Sequence, residues 1–249
     1  MIKYFFFIFL FCISNVYAYE RVHIAVSSNF IEPLDLIKKQ FLKKNKIIIT
    51  TSKGSTAKLF AQIINNAPID IFLSADQLTI KKLPDNKKIQ GSEFTYAIGK
   101  LVIFSKSKIL KQLKLGKFLS QKLSNKIVIG NPKFSPYGLA SKQVLESLSI
   151  WSLFKNNIIL ASNINQVSSF IYSGNVDLGF ISNSDKPKLR KYGLGYFKET
   201  PQNLYTQIKQ DAILLENAKK NQKAKLFFNF LKSYEAKKII KSFGYIITD

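Results

Sequence analysis

The sequence predicts an α/β protein of two lobes, with mostly parallel sheets and two segments that cross between the lobes. Three observations lead there. Strand-like and helix-like runs alternate along the chain, the pattern of parallel sheets covered by helices. Four strand-to-helix junctions present hydroxyls or backbone N–H groups and hold no acidic residue. Two extended segments, near residues 96–100 and 206–210, fall where the chain would pass from one α/β block to another and back. The pattern alone also allows a single large domain.

Taken in order, Val22-His23-Ile24-Ala25-Val26 reads as a short strand, followed by Ser27-Ser28-Asn29. A helix then begins near Pro33, a residue suited to a first turn, and carries Leu34, Ile37, Phe41 and Leu42 on one side. Ile47-Ile48-Ile49 is the next strand; Thr51 to Leu59 follows it, with Leu59, Phe60, Ile63 and Ile64 at helical spacing. Ser55 therefore falls where a strand gives way to a helix. Taken alone, that segment reads as a helix N-cap. It also has the make-up of an anion socket, because Gly54 permits close approach and the first amides of a helix point outward without partners.

Asp70-Ile71-Phe72-Leu73-Ser74 is a strand ending at Ala75-Asp76, and Tyr96 to Ser105 reads as a crossing strand. Ile127-Val128-Ile129-Gly130 leads through Asn131-Pro132-Lys133-Phe134-Ser135-Pro136-Tyr137-Gly138 into a helix with Leu139, Val144, Leu145 and Leu148. Ile158-Ile159-Leu160, then Ser162-Asn163-Ile164, leads into another with Val167, Phe170 and Ile171. A strand near Leu178, a strand at Asp211 to Leu215, and two helices, Ala224 to Leu231 and Glu235 to Phe243, complete the reading. In open α/β sheets, ligands bind outside the carboxyl ends of strands, where junctions of this kind converge.

The chain opens with the features of a secretory leader: Lys3, an apolar stretch from Tyr4 to Ser14, and Val16-Tyr17-Ala18 before a cleavage point. An uncleaved anchor is the alternative. Cys12, the single cysteine, lies inside that apolar stretch, so the remainder offers no disulfide, thiol nucleophile or thiolate metal site. The single histidine, His23, lies in a strand and reads as a packed strand residue. The formal charge is +23, from 38 Lys and Arg against 15 Asp and Glu. Such basicity can attract nucleic acid, anionic lipid or small anions. Here the lysines are scattered as pairs on helix-like segments, with no basic block interleaved with aromatics, and a nucleic-acid partner is not expected. Only Arg21 and Arg190 are arginines. The forked guanidinium that commonly grips oxyanions is nearly missing, so an anion here would be held by neutral N–H and O–H dipoles.

The junctions, in their order and spacing, carry a resemblance. Ala25-Val26-Ser27-Ser28-Asn29, Gly54-Ser55-Thr56-Ala57-Lys58-Leu59, Ala67 to Asp76, Tyr96-Ala97-Ile98-Gly99-Lys100-Leu101, Asn131 to Gly138, Gly174 to Phe180 and Lys241-Ser242-Phe243-Gly244-Tyr245 stand as they do in the periplasmic molybdate-binding proteins of ABC transporters, a type II solute-binding class. The chain resembles that family over essentially its whole length beyond the leader. The resemblance implies a leader over 1–18, a first lobe of 19–97 plus 208–249, and a second lobe of 98–207. It implies a tetrahedral oxyanion, molybdate or tungstate, held between the lobes and delivered to an inner-membrane permease by a periplasmic monomer that needs no cofactor. Ser28 and Ser55 would donate from the first lobe, and the backbone amides of Tyr137 and Ile164 from the second. Family members add a tyrosine hydroxyl at the position of Ser182, where this chain has only the shorter alcohol. Sulfate or another tetrahedral oxyanion is the alternative guest. A secreted hydrolase of anionic esters ranks lower, because neither Ser28 nor Ser55 has a histidine, cysteine or acid–base pair beside it.

Overall fold

The protein is described here from a computed structural model covering residues 21–122 and 124–247. The expected leader lies outside the described residues. The strands are β1 (Arg21–Ser27), β2 (Ile48–Gly54), β3 (Ile71–Leu73), β4 (Phe94–Gly99), β5 (Leu101–Ser105), β6 (Ile127–Gly130), β7 (Ile158–Ala161), β8 (Leu178–Ser182), β9 (Tyr196–Glu199) and β10 (Ile208–Leu214). The helices are α1 (Ile31–Leu42), α2 (Thr56–Ile64), α3 (Gln77–Lys81), α4 (Leu115–Ser120), α5 (Pro136–Ser147), α6 (Trp151–Phe154), α7 (Ile164–Tyr172), α8 (Lys186–Lys191), α9 (Gln222–Phe230) and α10 (Tyr234–Ser242).

The strands form two five-stranded sheets, ordered β2-β1-β3-β10-β4 and β7-β6-β8-β5-β9. Each sheet is built on a parallel trio: β1 lies between β2 and β3, and β6 between β7 and β8. The strands next to the crossings pair antiparallel, β10 with β3 and β4, and β5 with β8 and β9. The chain leaves the first sheet at Gly99, enters the second at Leu101, leaves it at Glu199 and returns at Ile208. What reads in sequence as one crossing strand from Tyr96 to Ser105 is thus two strands broken at Lys100.

Burial follows the period of each element. In β1, Val22, Ile24 and Val26 face the core beneath α1, α9 and α10, and Ala25 faces the opposite core with Leu59, Ile63 and Phe72. In α1, Leu34, Ile37 and Phe41 recur at helical spacing and are all buried. A separate core fills the second lobe around Phe104, Phe118, Phe154 and Phe180. Helix α1 starts at Ile31, two residues before the expected Pro33, because a 3-10 turn over Ser28–Phe30 leads straight into it.

Register positions the junctions. Pairing of β1 with β2 aligns Ser27 with Gly54, so Ser28 and Ser55 leave the sheet side by side. Pairing of β6 with β7 aligns Gly130 with Ala161, which sets the turns before α5 and α7 side by side in the other lobe.

Candidate binding site between the lobes

In the first lobe, the Ser27 hydroxyl lies 2.9 Å from the Thr56 hydroxyl and accepts from the Ala75 amide at 3.1 Å. These bonds tie the carboxyl ends of β1 and β3 to the start of α2. Ser55 is the N-cap of α2 and accepts from the Lys58 amide at 3.4 Å. In the second lobe, Ser135 caps α5, accepting from the Gly138 amide at 3.3 Å; Pro136 opens the helix and Tyr137 follows. Gly138 is needed there, since a Cβ would stand 2.1 Å from the Gly130 carbonyl oxygen. Asn163 caps α7, of which Ile164 is the first residue. The Asn131 amide donates to the Ala161 carbonyl at 2.7 Å and joins the last two turns.

The two pairs of turns face each other. The Ala57 amide donates to the Phe134 carbonyl across the cleft at 3.3 Å, and α7 packs against the Ser28–Phe30 turn. Ser28, Ser55, Tyr137 and Ile164 are all buried, at 6%, 8%, 1% and 1% exposure. The amides of Tyr137 and Ile164 stand in first turns, where no intrahelical carbonyl is available to them. Among the described residues none of the buried ones is a lysine or arginine. The helix starts therefore supply partial positive charge with no fixed counter-charge, in a setting of low polarity that strengthens each dipole.

Two of the three buried carboxylates among the described residues are engaged elsewhere. Asp70 accepts from the His23 amide at 2.7 Å and from Asn221, and Asp211 accepts from Thr95 at 2.6 Å and from Gln77. Asp76, on the rim, caps α3. The His23 ring bonds to Ser52 at 2.9 Å and to the Pro68 carbonyl at 3.1 Å, and is a strand residue rather than a base for either serine.

Ser182 ends β8, opposite Leu101 at the crossing, and is fully buried. Its hydroxyl is 2.8 Å from that of Ser184 and caps the turn that follows. The phenols of Tyr137 and Tyr245 lie near it. Sequence reasoning assigned nothing to Asn29, Ser184, Gln210 or Tyr245 of this cluster, and to Tyr137 only its backbone amide. Asn29 and Tyr245 sit inside the quoted motifs, a signal that was there to be used; Gln210, a polar residue in an apolar strand, gave only a weak one. Burial pushes the Tyr96 and Tyr137 phenols well above their ordinary range and Tyr245 to about 12, so all three remain proton donors. Nearby, Asp185 is raised to about 7 by burial, against the pull of its bond from Ser168.

Residues 22–246 match the family described as Bacterial extracellular solute-binding protein. The chain is 37% identical over 226 residues to the molybdate-binding protein ModA of Azotobacter vinelandii, covering 90% of this chain and 89% of that one. It is 35% identical over 223 residues to ModA of Rhodobacter capsulatus, covering 89% and 86%. The solved Azotobacter vinelandii periplasmic molybdate-binding protein superposes with a TM-score of 0.80 at 31% identity, covering 92% of this chain and all of that one. A shared overall fold and a family match along nearly the whole described length leave one conclusion: the chain belongs to the bacterial extracellular solute-binding proteins.

Proposed function

We propose that the protein captures molybdate, and tungstate by the same chemistry, between its lobes and presents it to an ABC permease. One observation carries this reading: four turns from two lobes meet at a buried place that offers amides and alcohols and no buried lysine or arginine among the described residues. The names of the relatives above supply the guest. Ser28 and Ser55 donate from one side, and the amides of Tyr137 and Ile164 from the other. A dianion leaving water needs every hydrogen bond replaced, and donors at helix starts replace them without reorganisation. Closure of the lobes about the two crossings completes the cage. The leader over 1–18 and the family support a periplasmic monomer with lobes 19–97 plus 208–249 and 98–207.

Isothermal titration with molybdate, tungstate, sulfate and phosphate tests the proposal. Saturable one-to-one heat with molybdate, and little with sulfate or phosphate, is the expected result. Absence of heat with molybdate overturns it, and heat with sulfate alone reassigns the guest.

A further inference from the structure

We propose that Tyr137 and Ser182 are positioning residues: their hydroxyls lock the start of α5 to the pivot between the lobes, and so fix where the Tyr137 amide meets the guest. The inference rests on the reading above that this amide faces the oxyanion.

Tyr137 points two ways. Its amide belongs to the first turn of α5, and its phenol runs to the hinge. There the hydroxyl accepts from the Gln210 side-chain amide at 3.1 Å. It also sits over Gly99, where a Cβ would come within 2.1 Å of the phenol oxygen. Gly99 ends β4 at the outgoing crossing, and Gln210 lies just inside β10 after the return. One phenol therefore touches both strands about which the lobes would turn.

The bonds run as one chain. Asn29 donates its side-chain amide to the Gln210 carbonyl oxygen at 2.8 Å. Gln210 donates to the Tyr137 hydroxyl. The Ser182 hydroxyl is 2.8 Å from that of Ser184, and the Ser184 hydroxyl donates to the Asn29 carbonyl at 3.0 Å. With Ser184 committed to Asn29, Ser182 donates to Ser184. Asn29 and Gln210 belong to the first sheet's side, and Tyr137, Ser182 and Ser184 to the second, so the chain crosses the boundary twice. Buried, linked bonds of this kind reinforce one another. Ser182 then has no proton left for a guest.

The test uses the full-length mature protein, molybdate as probe, and two conservative variants, Tyr137→Phe and Ser182→Ala. Each keeps the α5 amide and removes one hydroxyl. Both are expected to weaken molybdate binding by about tenfold, the worth of one buried hydrogen bond. The loss is expected in the dissociation rate by stopped flow. Ligand-induced compaction in small-angle scattering is expected to shrink, and the double variant to lose little more than either single one, because both hydroxyls belong to the same chain of bonds. Wild-type affinity and compaction in both variants, whatever their melting temperatures, overturns the inference. A loss beyond a hundredfold in Ser182→Ala with little change in Tyr137→Phe also overturns it, since Ser182 would then donate to the guest directly. Wild-type protein that fails to bind molybdate defeats the functional reading instead.

Discussion

The Ala57 amide and the Phe134 carbonyl meet across the cleft at 3.3 Å, one from the first turn of α2 and one from the loop before α5. This contact holds two of the four turns at hydrogen-bonding distance. On the other side of the hinge cluster, Lys188 of α8 reaches Glu32 of α1 at 3.5 Å. The lobes are therefore in contact on both flanks of the site, as a closed receptor requires.

Ser55 both caps α2 and faces the cleft. Ser55→Ala is expected to lower molybdate affinity by one to two powers of ten, since a hydrogen bond to a charged group is worth about 1.5–3 kcal/mol. Titration calorimetry reads this. A lower melting temperature with unchanged affinity would mean that Ser55 serves the helix alone.

Gly138 allows α5 to begin against the end of β6. Gly138→Ala drives a methyl into the Gly130 carbonyl, and neither backbone segment can yield without moving the Tyr137 amide. Overpacking of this kind costs about 1–3 kcal/mol. Thermal melts are expected to drop by several degrees, and affinity to fall with them. A variant that melts and binds like the wild type would show that the helix start is free to shift.

Asp185 gives stability a pH dependence. Burial raises its carboxyl from 3.8 to about 7; Ser168 and Lys188 oppose the rise, and Glu32 adds to it. The folded state thus keeps a proton that the unfolded chain releases. Its contribution is complete below about pH 4 and is lost as pH rises through 7, with a limiting slope of about 1.4 kcal/mol per pH unit. Asp185→Asn, which stays neutral and can still accept from Ser168, is expected to flatten the melting-temperature profile between about pH 4 and 7. An unchanged profile would assign the dependence to other groups.

The Glu32–Lys188 pair spans the cleft, yet both side chains are about half exposed, at 46% and 54%. Such pairs are worth roughly 0–1 kcal/mol. Glu32→Gln is expected to change molybdate affinity by less than about fivefold at physiological salt. A larger loss would make this bridge part of the closing mechanism.

Much of this architecture was legible in the residues. The runs at Val22, Ile71, Ile127 and Ile158 are strands, and Ser55, Ser135 and Asn163 cap the helices that follow, because short apolar runs and capping residues act locally. The short elements α3, α6, α8 and β9 were not legible, since each buries at most one residue and tertiary packing decides them; α4 buries Leu115, Phe118 and Leu119 but is too short for a period to show. At Gly54 a Cβ would make ordinary contacts at 3.6 Å and beyond, so protein packing does not demand glycine there, and the close approach expected of it concerns the guest. The hinge chain of bonds was out of reach for a different reason. It joins Asn29, Tyr137, Ser182 and Gln210 across long sequence separations, and no periodicity reports such a meeting.

The threading of the two sheets has a consequence for how the molecule is made. Strand β10 lies inside the first sheet, between β3 and β4, yet it is drawn from residues 208–214. A nascent chain that stops short of Ile208 has β3 with one flank bare and β4 with no neighbour in its sheet. The amino-terminal half cannot finish before nearly all of the polypeptide has emerged, which delays folding in a way that suits passage through a narrow translocation channel.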